Sequence, residues 1–391
     1  MTKSWIASLT ALACAALATT SSCGTPAPRG NPLLLSQPAQ PDLRRRLASS
    51  PHAFFRAINT EFSLEVCRQL DAGGLRFPIV PLHGDAHIEQ FAVTDEGIGL
   101  GDFDAAARGS AALDLLRFST SLVLAVHGTA NEDSGPWLAK QFMSSYQSAL
   151  AGAGGRPTPR IASVIRKARP DVHREERIAQ RLSPVSAEAD RRIRASFGQY
   201  ATTEAAKDRR LPAGFFSVVA IGALHGGVGS AGTARFLVRV QGATSLPSDD
   251  EFIELKPVAR DVLPSCKTAQ RDKAAQVLES EGALIETPRR FIASLRLDGK
   301  RYWAHAWPRD YWELDLRSEH ITLSDISEVA QFVGAELGKA HRRSLKGDAR
   351  AEGAIGVRSK RLLPLCIELA KLSVEAWRQF RAVQASKSLD G

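Results

Sequence analysis

Apolar residues recur at helical spacing from the start of the folded chain. Phe54, Ile58, Phe62 and Val66 share one face of a stretch that opens at Ser50-Pro51, and this spacing predicts a helix to about Leu70, ended by Gly73-Gly74. The period then shortens. Phe77 to Leu82 reads as a compact apolar strand, and Phe91-Ala92-Val93 and Ile98-Gly99-Leu100 read as two short strands around a turn at Asp95-Glu96-Gly97. Apolar helices are expected from about Ala112 to Val126 and from Pro136 to about Leu150, before a Gly/Pro-rich break at 151–159. Residues 160–210 are dense in charge and read as a helical connector. From Phe215 the pattern turns to strands at 215–221, 235–241 and 252–256, with a glycine-rich turn at 222–232. An amphipathic helix at 268–284, a hairpin around Asp298-Gly299, and long helices at 323–343 and 358–383 close the chain. No internal repeat appears, and the order of elements is that of an α+β protein.

Composition adds limits. With 391 residues, 44% hydrophobic and 24% charged, the chain is long and apolar enough to bury a full core, which excludes a disordered class. A net charge of +9 favours anionic partners, such as a phosphate-bearing small molecule. The basic residues spread over several segments, which equally suits simple solubility, and no specific nucleic-acid motif is present. The first residues change the picture more. Met1-Thr2-Lys3 followed by an Ala- and Leu-rich stretch from Ile6 to Ala18 reads as an export signal, too short to span a bilayer. Thr20-Ser21-Ser22-Cys23-Gly24 resembles a lipoprotein processing site with Cys23 as the lipidated residue, although Thr20 stands where Leu is usual. The expectation is an exported protein, periplasmic or membrane-anchored, touching the membrane only through that lipid. Residues 24–44 then form a flexible tether. Of five cysteines, Cys67, Cys266 and Cys366 remain beyond the leader. Buried thiols are the default reading, with one disulfide open to an exported chain.

The candidate chemistry lies at the two ends of the first hairpin. His83-Gly84-Asp85-Ala86-His87 precedes it and Gly101-Asp102-Phe103-Asp104 follows it. A hairpin brings its ends together, so Asp85 and Asp102 are expected within reach of one cation or one substrate. Acids beside apolar strands are costly unless they bind metal, base or donor groups. Asp114 sits in the first turn of the next helix, where a carboxylate is favoured and could hold the second acid loop. Later, Gly227, Gly229, Ser230 and Gly232 fall in the glycine-rich turn, and Lys256 ends a strand beyond it. The turn is neither a Walker loop nor a dinucleotide fingerprint. Strand, glycine turn, strand, and strand with lysine is the order found in the phosphate-binding half of a kinase small lobe.

These blocks resemble a known pattern. The His-Gly-Asp loop, the hairpin, the Asp-Phe-Asp loop and a helix-borne Asp-Leu pair are similar to the catalytic core of aminoglycoside-phosphotransferase-type kinases. More closely, the chain resembles the bacterial domain-of-unknown-function family 2252 (DUF2252). The blocks that carry this are Ser50-Pro51 to Arg56, Gly84 to Phe91, Asp102 to Ala105, Asp114 to Arg117, Gly227 to Gly232, and Ala340 to Asp348. The resemblance implies a two-lobe, protein-kinase-like fold that binds magnesium and ATP. Asp85 would orient or deprotonate an acceptor hydroxyl, and Asp102, with Gln90 and Asp104, would hold the metal. Lys256 would neutralise phosphate, the glycine turn would cover it, and His83 and His87 would support the loop. Gln90 stands where the family has Asn, and Ala105 where it has an acid. The acid loops precede the glycine turn, so a kinase-like chain would be circularly permuted: large-lobe core and connector over 45–210, small-lobe sheet over 211–310, closing helices over 311–391. Two alternatives remain at this point. One is a metal-dependent hydrolase using His83, Asp85, His87, Asp102 and Asp104. The other is a lipid-anchored pseudokinase that binds without turnover. Neither the acceptor nor the oligomeric state follows from the sequence.

Overall fold

The computed structural model describes residues 31–35, 40–167, 174–224, 234–258, 266 and 272–387. The leader with Cys23 and the turn from Gly227 to Gly232 lie outside the described residues.

Helices α1 (Pro41–Ala48), α2 (Pro51–Ala57) and α3 (Asn59–Ala72) open the fold. The single helix expected from Ser50 to Leu70 is two. The Ser50 hydroxyl accepts from the Ala53 amide and Pro51 occupies the first turn, so α2 starts as expected. The chain then breaks at Ile58 (φ −101°, ψ 32°), whose side chain is fully buried. The break turns Asn59 so that its side-chain amide donates to the Gly84 carbonyl at 2.9 Å.

Strand β1 (Ile79–Leu82) leads into the first acid loop, and β2 (Phe91–Thr94) and β3 (Ile98–Leu100) form the expected hairpin. Strand β4 (Ala107–Ser110) pairs antiparallel with β1. Its sequence, Ala-Arg-Gly-Ser, carries little strand preference, so this pairing comes from tertiary context. Helices α4 (Ala112–Ala125) and α5 (Gly135–Leu150) follow. The charged connector contains α6 (Arg160–Lys167), α7 (Arg174–Arg181), the short strand β5 (Leu182–Pro184) and α8 (Ala187–Lys207).

Next come β6 (Val218–Leu224), β7 (Arg235–Val240), β8 (Glu251–Pro257), α9 (Lys273–Leu284), β9 (Ala293–Leu297), β10 (Lys300–Ala306) and β11 (Tyr311–Glu313). The strands form a six-stranded antiparallel sheet in the order β5-β6-β7-β8-β10-β9. Strand β11 leaves that sheet and joins β2, giving a three-stranded sheet β11-β2-β3. Helices α10 (Leu323–Ser344), α11 (Ala349–Ser359) and α12 (Leu362–Lys387) end the chain, so the expected helix at 358–383 begins after a break near Lys360.

Two cores result. In the larger one, α4 is buried almost throughout, packed by α5 and α12. Helix α10 crosses α5 closely: a Cβ at Gly334 or Gly338 would sit 2.4 Å from the Phe142 carbonyl oxygen or 2.5 Å from that of Tyr146, so both must be glycine. The second core lies on the six-stranded sheet, where Ile193, Phe197 and Tyr200 of α8 meet Val238, Ile253, Leu255 and Ala304. Strand alternation separates the faces. Leu255 and Ala304, opposite each other, enter that core, while Lys256 and Trp303, the next pair, face the other way. Trp303 joins the larger core with Val277 and Leu284 of α9.

The default reading of the cysteines is corrected. Cys67 on α3 and Cys266, between β8 and α9, form a disulfide. Cys366 remains a buried thiol, and burial pushes it up to about 11. Among the described residues no helix is long and apolar enough to cross a membrane.

Candidate functional site

The first acid loop is held by the start of α4. The Asp114 carboxylate accepts the backbone amides of His83 (2.7 Å) and Gly84 (2.9 Å). It is almost fully buried, and burial raises its carboxyl to about 6 despite those two donors. Sequence reasoning attached Asp114 to the second acid loop; its hydrogen bonds go to the first. Asp114→Ala leaves two buried amides without acceptors and is expected to destabilise the protein by about 2–4 kcal/mol, read by urea unfolding.

His83 joins the two loops. Its Nδ1 lies 3.3 Å from the Asp85 amide, which donates to it, so Nε2–H is left to donate to the Gly101 carbonyl at 2.6 Å. Burial lowers this imidazole to about 4, which keeps it neutral. Its ring packs on Phe103 with centroids 4.6 Å apart.

Asp85 is fixed on one side only. Arg117 Nε (3.0 Å) and Nη2 (2.8 Å) both donate to Oδ1. Arg117 itself is buried, donates to the Phe55 carbonyl at 3.0 Å and lies 3.8 Å over the Phe55 ring. The other carboxylate oxygen faces His87 Nε2 at 3.8 Å. Burial raises the Asp85 carboxyl above its ordinary value, Arg117 opposes the rise, and Asp102 adds to it. Burial holds His87 well below its usual range, hence neutral. Arg117 was missed as a site residue. The available signal was a single cation in the strongly apolar helix α4.

The second loop meets a residue from far along the chain. Asp102 has φ +54°, a left-handed conformation unusual for a residue with a side chain. Lys256 Nζ donates to Asp102 Oδ1 at 2.6 Å and lies 2.7 Å from Asp104 Oδ2. Trp303 Nε1 donates to the other Asp104 oxygen at 3.1 Å, and the Lys256 ammonium lies 5.1 Å from the Trp303 ring centre. The lysine side chain is 6% exposed, while the two carboxylates keep 46% and 42% of theirs open. Burial would raise Asp102, but Lys256 outweighs it and holds the carboxyl far down. Asp104 moves up, through burial and then through the Asp102 charge. Burial alone would lower Lys256; the two carboxylates reverse that and raise it. Two half-exposed acids thus share one buried ammonium.

Gln90 is buried beside this loop, and its backbone carbonyl accepts from the Gly101 amide at 2.7 Å. Two acids stand on α9: Glu279 pairs with Arg108, and Glu281 accepts the Arg289 amide at 3.0 Å; neither is paired with Lys256. Arg289, also missed, has its Nη1 3.1 Å from His305 Nε2. Glu254, on the same face of β8 as Lys256, pairs with Arg235 and lies 3.3 Å from His305 Nε2. His305 and the nearby cations overcome the effect of burial and hold the Glu254 carboxyl at about 2. Among the described residues no three side chains of His, Cys, Asp and Glu gather closely enough to hold a metal on their own.

A family model described as an uncharacterized protein conserved in bacteria (DUF2252) matches residues 38–177 and 160–382. No curated protein and no solved structure matches the chain.

Proposed function

We propose that this chain, which belongs to the DUF2252 family, is a kinase-like phosphotransferase that uses magnesium and ATP. The observation that carries the reading is the meeting of Lys256 with Asp102, 154 positions away in sequence, and with Asp104. A buried lysine aimed at a pair of half-open acids is what phosphate recognition beside a metal-binding acid requires. The order of β6-β7-β8-β10-β9, with the lysine on the third strand and α9 inserted after it, supports a small-lobe resemblance. Placing that sheet after the acid loops is the circular permutation expected from the motif order.

The donor set fits magnesium. Asp102 and Asp104 are hard oxygen donors of the kind magnesium prefers. Magnesium there would be held by Asp102 and Asp104, assisted by Gln90, and would neutralise charge on the transferring phosphate. Asp85 serves as the base. Its raised carboxyl suits it to take the proton of an acceptor hydroxyl, and Arg117 fixes its orientation through one oxygen, leaving the other for the acceptor. His83, bonded to Gly101, sets the spacing between that base and Asp102. Lys256 neutralises phosphate oxygens in place of its present acid partners. The Cys67–Cys266 disulfide supports an exported chain, since such bonds persist in oxidising compartments.

The test is release of ADP from ATP by the mature protein with magnesium, over a panel of hydroxyl acceptors. Asp85→Asn is expected to lower the rate about 10²- to 10⁴-fold while leaving nucleotide binding in place. Turnover unaffected by that change removes Asp85 as the base. Binding without turnover for any acceptor favours the pseudokinase reading.

A further inference from the structure

Two cations stand side by side on one face of the six-stranded sheet. Phe236 of β7 lies opposite Leu255 of β8, so the next step of that antiparallel register sets Arg235 opposite Lys256. Phe236 and Leu255 both meet the core that packs under α8, and alternation turns Arg235 and Lys256 to the other face, with Glu254, Trp303 and His305. Like charges directly opposite each other destabilise a sheet. The repulsion is felt here: burial lowers the Lys256 ammonium, Asp102, Asp104 and Glu254 raise it, and Arg235 lowers it again. Sheet stability therefore gives no reason for this pair.

The arginine is held in place. Its Nε (2.9 Å) and its Nη2 both donate to one oxygen of Glu254, Oε1. Glu254 is itself buried, and its other oxygen lies 3.3 Å from His305 Nε2. Nη1 of Arg235 is left without a partner among the described residues, on a side chain that is 16% exposed and so within reach of a ligand. Burial lowers the guanidinium, and Glu254, then Asp104 and Asp102, raise it, which places it within electrostatic reach of both acids of the second loop.

We infer that Arg235 is a second phosphate-binding residue, which reaches the phosphate chain of the nucleotide through Nη1 beside Lys256 while Glu254 holds its other two nitrogens. The inference rests on the phosphotransferase reading above. A phosphate chain carries several negative charges, and it satisfies two adjacent cations that otherwise repel each other. A guanidinium suits this place better than an ammonium, because its fork can hold an acid on one side and still donate on another.

Calorimetric titration with ATP and magnesium tests it in three proteins: the parent, Arg235→Lys, and Arg235→Gln combined with Glu254→Gln, which removes both charges of the pair together. Arg235→Lys keeps the charge beside Glu254, but its single ammonium is taken up by that acid, and a loss of affinity of about tenfold is expected. The double variant is expected to lose at least as much while its melting temperature stays close to that of the parent. An arginine that served only to neutralise Glu254 would leave the affinity unchanged in both. Parent-like affinity in Arg235→Lys, or in a folded double variant, therefore overturns the inference and leaves the roles of Asp102 and Lys256 standing. Should the double variant fail to fold, Arg235→Lys decides alone. No binding by the parent at millimolar ATP and magnesium overturns the phosphotransferase reading, and this inference with it.

Discussion

Reduction of the Cys67–Cys266 disulfide is expected to lower the unfolding free energy by about 5 kcal/mol. The bond joins residues 199 positions apart, and closing a loop of that length in the unfolded chain removes about 5 kcal/mol of conformational entropy on the chain-entropy model. It anchors Cys266, between the lysine-bearing β8 and α9, to α3 of the large core. Urea unfolding of the oxidised and reduced protein, and of Cys67→Ser, measures the effect. A difference under about 1 kcal/mol would mean that the bond is not formed or that the unfolded chain is already compact.

Stability is expected to fall steeply as pH drops from about 6.5 toward 4. His52 is lowered to about 3, chiefly by burial and then by Arg56 and Arg117. His83 is lowered to about 4 and His341 to about 3, both through burial. In the unfolded chain each takes up a proton near pH 6.5; in the folded chain each stays neutral until well below that. Their contribution is therefore complete above about pH 6.5 and is lost as pH falls, at about 1.4 kcal/mol per pH unit for each histidine. Asp114 works in the opposite direction. Its folded value of about 6 lies above the unfolded one, so its proton is held more tightly by the folded state and offsets one of the three histidines below pH 6. His87, held well below its usual range, adds to the histidines, while the raised carboxyls of Asp104 and Asp85 join Asp114 against them, so the net fall is shallower than the histidines alone would give. Calorimetric melting from pH 7.5 to 4.5 measures it, and a flat profile would contradict the burial of these imidazoles.

The sequence carried the local part of the site. The hairpin β2–β3 is fixed by a short turn between two apolar triplets, and that alone brings the Asp85 and Asp102 loops side by side. The partner of Lys256 was not legible, because its meeting with Asp102 depends on how a whole sheet docks. Strands β4 and β11 were missed for a related reason: Ala107–Ser110 and Tyr311–Glu313 are strands only because β1 and β2 offer them edges. The break at Ile58 interrupts a good helical period to aim Asn59 at Gly84, a tertiary demand that overrides local preference. Arg117 was visible as a lone cation in an apolar helix, a position a chain tolerates only when a buried acid awaits it. The cysteine pairing stayed open because three candidates allow three pairs, and only packing leaves Cys366 enclosed by itself.

The most direct test of the account is the thermal stability of the protein with ATP and magnesium. At a hundredfold excess over Kd, binding is expected to stabilise the folded state by about 2.7 kcal/mol and raise Tm by several degrees. The rise should need the metal and disappear in Asp102→Ala. An unchanged Tm for the parent protein at millimolar ATP and magnesium would contradict the claim that Asp102, Asp104 and Lys256 form a nucleotide-phosphate site.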